Sequence, residues 1–200
     1  MSLSRTALLA AALALVPALA GAAEIVYEID PAHTYPSFEA DHMGLSFWRG
    51  KFNANSGRIV LDRAAGSGSV DVTVDLASID FGHDDMNKEA RSASLFDTAA
   101  YPKARYRGRL AGFVDGAPTR VEGTLELHGK TLPLTLAIDR FKCMKHPMMA
   151  RDYCGANATA TLDRAAFGID AGKEYGFDMK VALDVQVEAL GPEQAPVPAG

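Results

Sequence analysis

The chain has 200 residues, 48% of them hydrophobic and 22% charged, with a formal net charge of −5. That composition suits one globular domain plus a targeting segment, and argues against a disordered chain or two domains. An acidic chain with no basic run is a poor match for nucleic acid and has no electrostatic hold on an anionic lipid surface.

Residues 1–23 read as a secretory signal peptide. Arg5 supplies a positive start, residues 8–16 (LLAAALALV) form an apolar stretch, and Pro17 breaks it. Ala18, Ala20, Ala22 and Ala23 then offer A-x-A-like cleavage sites. The apolar stretch is short for a bilayer span, so a retained anchor is the alternative rather than the main reading. Cleavage before Glu24 removes Arg5 and takes the net charge from −5 to −6. The mature protein is expected in the periplasm. No later segment is long and apolar enough to cross a membrane as a helix.

From Glu24 onward the apolar residues recur with period two, the signature of strands with one dry face. Phe38, Ala40 and His42 share a face, as do Trp48, Gly50 and Phe52, then Ile59 and Leu61. Residues 53–57 (NANSG) read as a turn joining two of these runs. Residues 64–69 (AAGSGS) lead into Val70, Val72, Val74 and Leu76, which alternate with Asp71, Thr73 and Asp75. Residues 84–95 (DDMNKEARSASL) break the pattern and predict a short surface helix able to lie across a barrel end. Ala104, Tyr106, Gly108 and Leu110 follow, then an Asp115-Gly116 turn, then Val121, Gly123, Leu125 and Leu127. His128-Gly129-Lys130 marks a tight hairpin into Leu132, Leu134, Leu136 and Ile138. Ala156, Ala158, Ala160 and Leu162 make a thin strand. Met179, Val181, Leu183, Val185 and Val187 make the clearest one. Pro192, Pro196 and Pro198 predict a disordered tail over residues 191–200, leaving 24–190 as the domain.

About eight to ten amphipathic strands joined by hairpins, with one helix, predict an all-β antiparallel fold. A closed barrel of about eight strands removes exposed edges. Such a barrel is just wide enough to be filled by side chains or to hold one slim ligand. Small residues expected on the inward face, among them Gly50, Gly108, Gly123, Ala156 and Ala158, would leave space within.

Cys143 and Cys154 are an even pair in an exported chain, which favours a structural disulfide. C-x10-C is no redox motif, and two sulfurs alone make a poor zinc site. His146 lies between them with Met144, Met148 and Met149, a combination that could suit Cu(I) if the sulfurs were not bridged. No metal site is predicted; His33, His42 and His83 read as structural, His83 as a helix cap beside Asp84 and Asp85. No catalytic residues are predicted either, since G-x-S-x-G, GxGxxG and phosphate-loop patterns are all missing from the sequence.

Taken in order, several short motifs resemble the YceI-like family. Residues 27–34 (YEIDPAHT) resemble its opening segment, with Thr34 where the turn residue is usually Ser. Residues 38–44 (FEADHMG) resemble its next strand, and Trp48-Arg49-Gly50-Lys51-Phe52 with Gly57-Arg58-Ile59 resembles the two steps after it. Ser78-Ile79-Asp80, Phe96-Asp97, Tyr101-Pro102, residues 123–131 (GTLELHGKT) and residues 164–169 (RAAFGI) continue the likeness to about Ala189. The resemblance implies a lipocalin-like barrel that binds a polyisoprenoid, an isoprenoid quinone or a similar long-chain amphiphile, with no other cofactor. Burying each CH₂ of such a chain stabilises it by about 0.8 kcal/mol, so a dry narrow slot suffices.

On that implication the candidate ligand-binding residues lining the barrel are Phe38, His42, Trp48, Phe52, Ile59, Val70, Val72, Val74, Tyr106, Leu125, Leu134, Leu136, Val181, Leu183 and Val185. Residue by residue, the competing reading is a packed core. The expected partner is a long-chain apolar ligand, with transient membrane contact and pairing of two barrels into a homodimer as further expectations. The alternatives are a stress-related interaction protein whose barrel is filled by side chains, or a metal or redox accessory using the Met/His/Cys loop.

Overall fold

Period-two alternation becomes eleven strands and one α-helix in a computed structural model that describes residues 24–193. The expected signal peptide and residues 194–200 lie outside the described residues. The strands are β1 (Ile25–Ile29), β2 (Tyr35–His42), β3 (Ser46–Phe52), β4 (Asn55–Asp62), β5 (Ser67–Asp75), β6 (Ile79–Asp80), β7 (Lys103–Ala111), β8 (Arg120–Leu127), β9 (Lys130–Lys145), β10 (Arg151–Asp163) and β11 (Lys180–Glu193). The helix α1 (Asp84–Arg91) lies between β6 and β7. β11 runs to Glu193, so the strand continues three residues into the stretch expected to be tail.

Pairing is antiparallel throughout, and eight strands close into a ring in the order β1-β4-β5-β7-β8-β9-β10-β11, with β11 returning to β1. β2 and β3 prolong the ring at one end. β2 continues the path of β1 along β11, and β3 continues the path of β4 along β2. We call this the upper end. It carries the β2–β3 tip, α1, the β8–β9 turn and the long β10–β11 connection.

The stretch 53–57, expected to be a turn between paired strands, is instead a kink. β3 and β4 do not pair with each other but follow one another past β2 and β1. Asn53 N donates to Ser78 O and Ala54 N to Ser78 Oγ, which holds the bend. Gly57 is required by close approach: a Cβ there would come within 2.2 Å of Asp71 O on β5. Asn, Ser and Gly favour kinks and hairpins alike, so composition could not separate the two.

A second break separates β1 from β2, and Thr34 seals it. Its Oγ1 donates to Glu188 O at 3.1 Å and accepts from Glu188 N at 3.0 Å, replacing the missing strand neighbour of β11. Thr34 is 1% exposed, so these bonds meet polar groups that water cannot reach. Asn55 Nδ2 donates to Thr34 O at 2.6 Å from the adjoining strand.

The expected hairpins at Asp115-Gly116 and His128-Gly129 form, each with two successive positive φ angles, as a type I′ turn demands. Met43-Gly44 makes a third at the β2–β3 tip. Helix α1 begins as expected, with His83 Nδ1 accepting from Met86 N at 3.4 Å. It ends at Arg91, short of the expected 95. The hydroxyls of Ser92 and Ser94 turn to the Glu89 carboxylate, and the chain bends so that Phe96 N donates to Ala90 O.

Two apolar clusters fill the interior. The lower one centres on Tyr27, Leu61, Leu110, Val121 and Ala189; the upper one on Phe52, Leu76, Ile79, Ala90, Phe167 and Ile169. Polar residues face out. There Arg105 bonds Asp71 in a bidentate pair, and Arg109 and Arg120 both reach Glu122. The hydrogen bond from Arg105 holds the Asp71 carboxyl below the usual carboxylate range.

Candidate functional site: an apolar chamber open at the upper end

Inward side chains from the strands leave two adjoining spaces along the barrel. The upper chamber measures about 560 Å³ and the lower about 180 Å³. They share Pro36, Val74, Leu125, Leu183 and Val185, which form a waist between them. The upper volume falls within the range of small-molecule pockets.

Fourteen of the fifteen candidate lining residues face these spaces. Phe38, Trp48, Phe52 and Val181 line the upper chamber; Val74, Leu125, Leu183 and Val185 stand at the waist. Ile59, Val70, Val72, Tyr106, Leu134 and Leu136 line the lower chamber. His42 is the exception and the correction. Its ring backs onto Trp48, stacked at 3.9 Å between centroids, and meets Phe177 edge-on at 5.1 Å. It therefore braces the rim from behind rather than facing the chamber.

Small inward residues do not all leave space. At Gly123 the room is taken by Tyr106: a Cβ there would come within 2.8 Å of the phenol ring and its oxygen. The Tyr106 hydroxyl reaches across to Val121 O at 3.1 Å and Leu134 O at 2.9 Å, and its single proton can be donated to either carbonyl. Burial pushes its pKa up to about 12. At Gly50, Phe38 and Phe81 occupy the corresponding room. The lower chamber is small because an aromatic ring crosses it.

The upper chamber gains walls that no strand supplies. Leu76 and Phe81 flank β6, Met86 and Ala90 face in from α1, and Leu95 and Phe96 come from the bend behind it. Ile169, Tyr175 and Phe177 arrive on the β10–β11 connection. Period two found Leu76, at the end of the Val70–Leu76 run, but not the others, which lie outside strands; the i, i+4 spacing of Met86 and Ala90 was the one signal available for those. Arg164 anchors that connection, with Nη1 donating to Ile169 O at 2.9 Å and Nη2 to Ala171 O at 2.8 Å. Charged groups in the lining are few among the described residues: Asp41, Glu89, Glu174 and Arg164.

The rim is apolar and wet. Leu45 is 77% exposed and Phe47 60% exposed, with Met43, Trp48 and Tyr175 beside the opening. Met43 sits at φ +56° in the β2–β3 turn, where a non-glycine residue costs roughly 1 kcal/mol.

At the opposite end, Cys143 and Cys154 face each other across β9 and β10 and are bridged, in line with the disulfide expected from the sequence. The bridge removes both sulfurs as metal ligands. His146 Nδ1 accepts from Met148 N and Met149 N, both at 3.1 Å. The neutral ring then carries its proton on Nε2, and neither nitrogen offers a free lone pair. Among the described residues no cluster of His, Cys, Asp and Glu could hold a metal ion.

Comparison with known proteins agrees with this architecture. A family model described as "YceI-like domain" matches residues 27–189. A UPF0312 protein of Vibrio cholerae is 29% identical over 181 residues, covering 90% of this chain and 94% of its own. One from Vibrio vulnificus is 31% identical over 195 residues, covering 93% and 98%. Among solved structures, Burkholderia cenocepacia BcnA is similar with a TM-score of 0.62 at 20% identity, over 80% of this chain and 99% of that one. A polyisoprenoid binding domain from Saccharophagus degradans, implicated in plant cell wall breakdown, gives 0.58 at 21% identity, over 83% and 98%. A closed eight-stranded antiparallel barrel with one helix, matched by the family model over nearly all its described length, belongs to the YceI-like domain family.

Proposed function

We propose that this chain is a periplasmic carrier, not an enzyme, that holds a polyisoprenoid, an isoprenoid quinone or a similar long-chain amphiphile inside the barrel. The observation that carries the reading is the chamber of about 560 Å³, walled by aliphatic and aromatic side chains and open at one end. A hydrocarbon chain in that space trades water for apolar contact along its whole length, which needs no catalytic group. The named activity of the Saccharophagus domain supports the same reading.

The exposed rim supports uptake from a membrane surface. Leu45, Phe47 and Met43 project from a narrow hairpin tip beside the opening, suited to insert among lipid tails while the cargo passes. A barrel filled by its own side chains would leave no such chamber.

The test is native mass spectrometry of mature protein purified from the periplasm, followed by solvent extraction and lipid identification. A stoichiometric prenyl lipid, lost when Leu183 at the waist is replaced by Glu, is the expected result. Protein that is empty and ignores added prenyl lipids overturns the carrier reading. Vesicle flotation reads the rim: Leu45→Ser with Phe47→Ser should reduce co-flotation at least fivefold.

A further inference from the structure

We infer that the upper chamber selects a neutral head group and discriminates against an anionic one such as a phosphate; the inference rests on the carrier reading above. Among the described residues, three of the four charged groups in its lining are carboxylates: Asp41, Glu89 and Glu174. The fourth, Arg164, turns both terminal nitrogens to the carbonyls of Ile169 and Ala171 on its own connection. Among the described residues no lysine lines the chamber. Lys173 and Lys180 lie close in sequence to the mouth but outside the lining, on exposed positions.

The geometry leaves an anion without a seat. Asp41 accepts from Gly44 N and Asp178 N, and Glu89 from Ser94 Oγ, so those donors are already directed at carboxylates. An arriving phosphate would face like charge at the mouth and could reach no unengaged guanidinium fork. Below the waist the lining is apolar apart from Thr34 and the phenols of Tyr27 and Tyr106, and holds no cation among the described residues. A phosphate could not be carried inward either, since an unpaired buried charge is disfavoured far more than a hydroxyl or carbonyl. Specificity of this kind works by repulsion of the wrong head rather than by a strong contact to the right one. A hydroxyl head, by contrast, can donate to any of the three carboxylates.

The experiment compares geranylgeraniol with geranylgeranyl monophosphate, which share a chain and differ in the head. The only tryptophan of the protein, Trp48, lines the chamber, so its fluorescence reports occupancy directly. At pH 7.5 and low salt the alcohol should bind at least tenfold more tightly than the phosphate. Glu174→Lys should narrow that ratio to threefold or less. Equal or tighter binding of the phosphate overturns the inference and leaves the carrier reading standing. A ratio unchanged in Glu174→Lys also overturns it, because charge would not be the cause. Binding of neither lipid overturns the carrier reading and this inference with it.

Discussion

Below the waist, β1 joins β4 and β11 directly, Tyr106 crosses the interior, and about 180 Å³ is left. Above it, β2 and β3 flare past the ring, α1 and the β10–β11 connection supply walls, and about 560 Å³ is open. Both halves are made from the same strands with the same alternation. The difference lies in what fills the inward positions and in how long the connections are. Short type I′ turns close strands tightly, whereas residues 76–102 and 164–179 have enough length to build a collar around a space. A barrel of fixed strand number can thus be a packed plug at one end and a container at the other.

The strongest way to break the comparison is to remove the plug. Tyr106→Ala should cost about 3–5 kcal/mol in urea unfolding, as large-to-small core changes do. It should also enlarge the lower space beyond the waist, so that a longer prenyl alcohol gains affinity relative to a C20 one. A variant that loses stability without that gain would show that the lower half collapses rather than opens.

Next in size is the staple of the lower end. Replacing Cys143 and Cys154 with Ser frees a loop of 11 residues and should cost about 3 kcal/mol. Binding in the upper chamber should be unaffected, which a Trp48 titration of folded protein checks. Thr34→Val should cost roughly 2 kcal/mol, since it keeps the shape but leaves Glu188 N–H unmet in the interior, while Glu188 O keeps its bond from Asp30 N.

The smallest effect concerns pH. Tyr106 has its pKa raised from 10.0 to about 12, because burial favours the neutral phenol. A group that binds its proton more tightly when folded adds stability that is fully present below pH 10. That stability is lost as pH rises from 10 to about 12. Tyr106→Phe should lessen the fall of the unfolding free energy across that interval without abolishing it, since burial also raises the pKa of Tyr153 and Tyr27, measured by denaturant titration at several pH values. An unchanged slope would mean the phenol is not the titrating group.

Much of the ring was legible before any coordinates. Strands with strict alternation, such as Val181 to Val187, have one dry face, and that fixes both their existence and their inward residues. The kink at 53–57 was not legible, because Gly57 answers to Asp71 on a neighbouring strand rather than to its own sequence neighbours. His42 carried the right period for an inward residue but packs against Trp48 and Phe177, which take its place in the chamber wall. Ser92 and Ser94 shortened the helix through contacts with Glu89 that helix propensity alone does not weigh.

By itself, the sequence determined the class: antiparallel amphipathic strands in number sufficient to close, and one cysteine pair placed to bridge. Those follow from periodicity and composition, which act locally. Only the tertiary structure decided that the barrel is open above and plugged below. That depends on Tyr106 reaching over Gly123, on loop residues such as Phe96 and Phe177 meeting strand residues far away in the chain, and on Arg164 fastening the collar. Cavity shape is a sum over distant neighbours, and no local pattern encodes it.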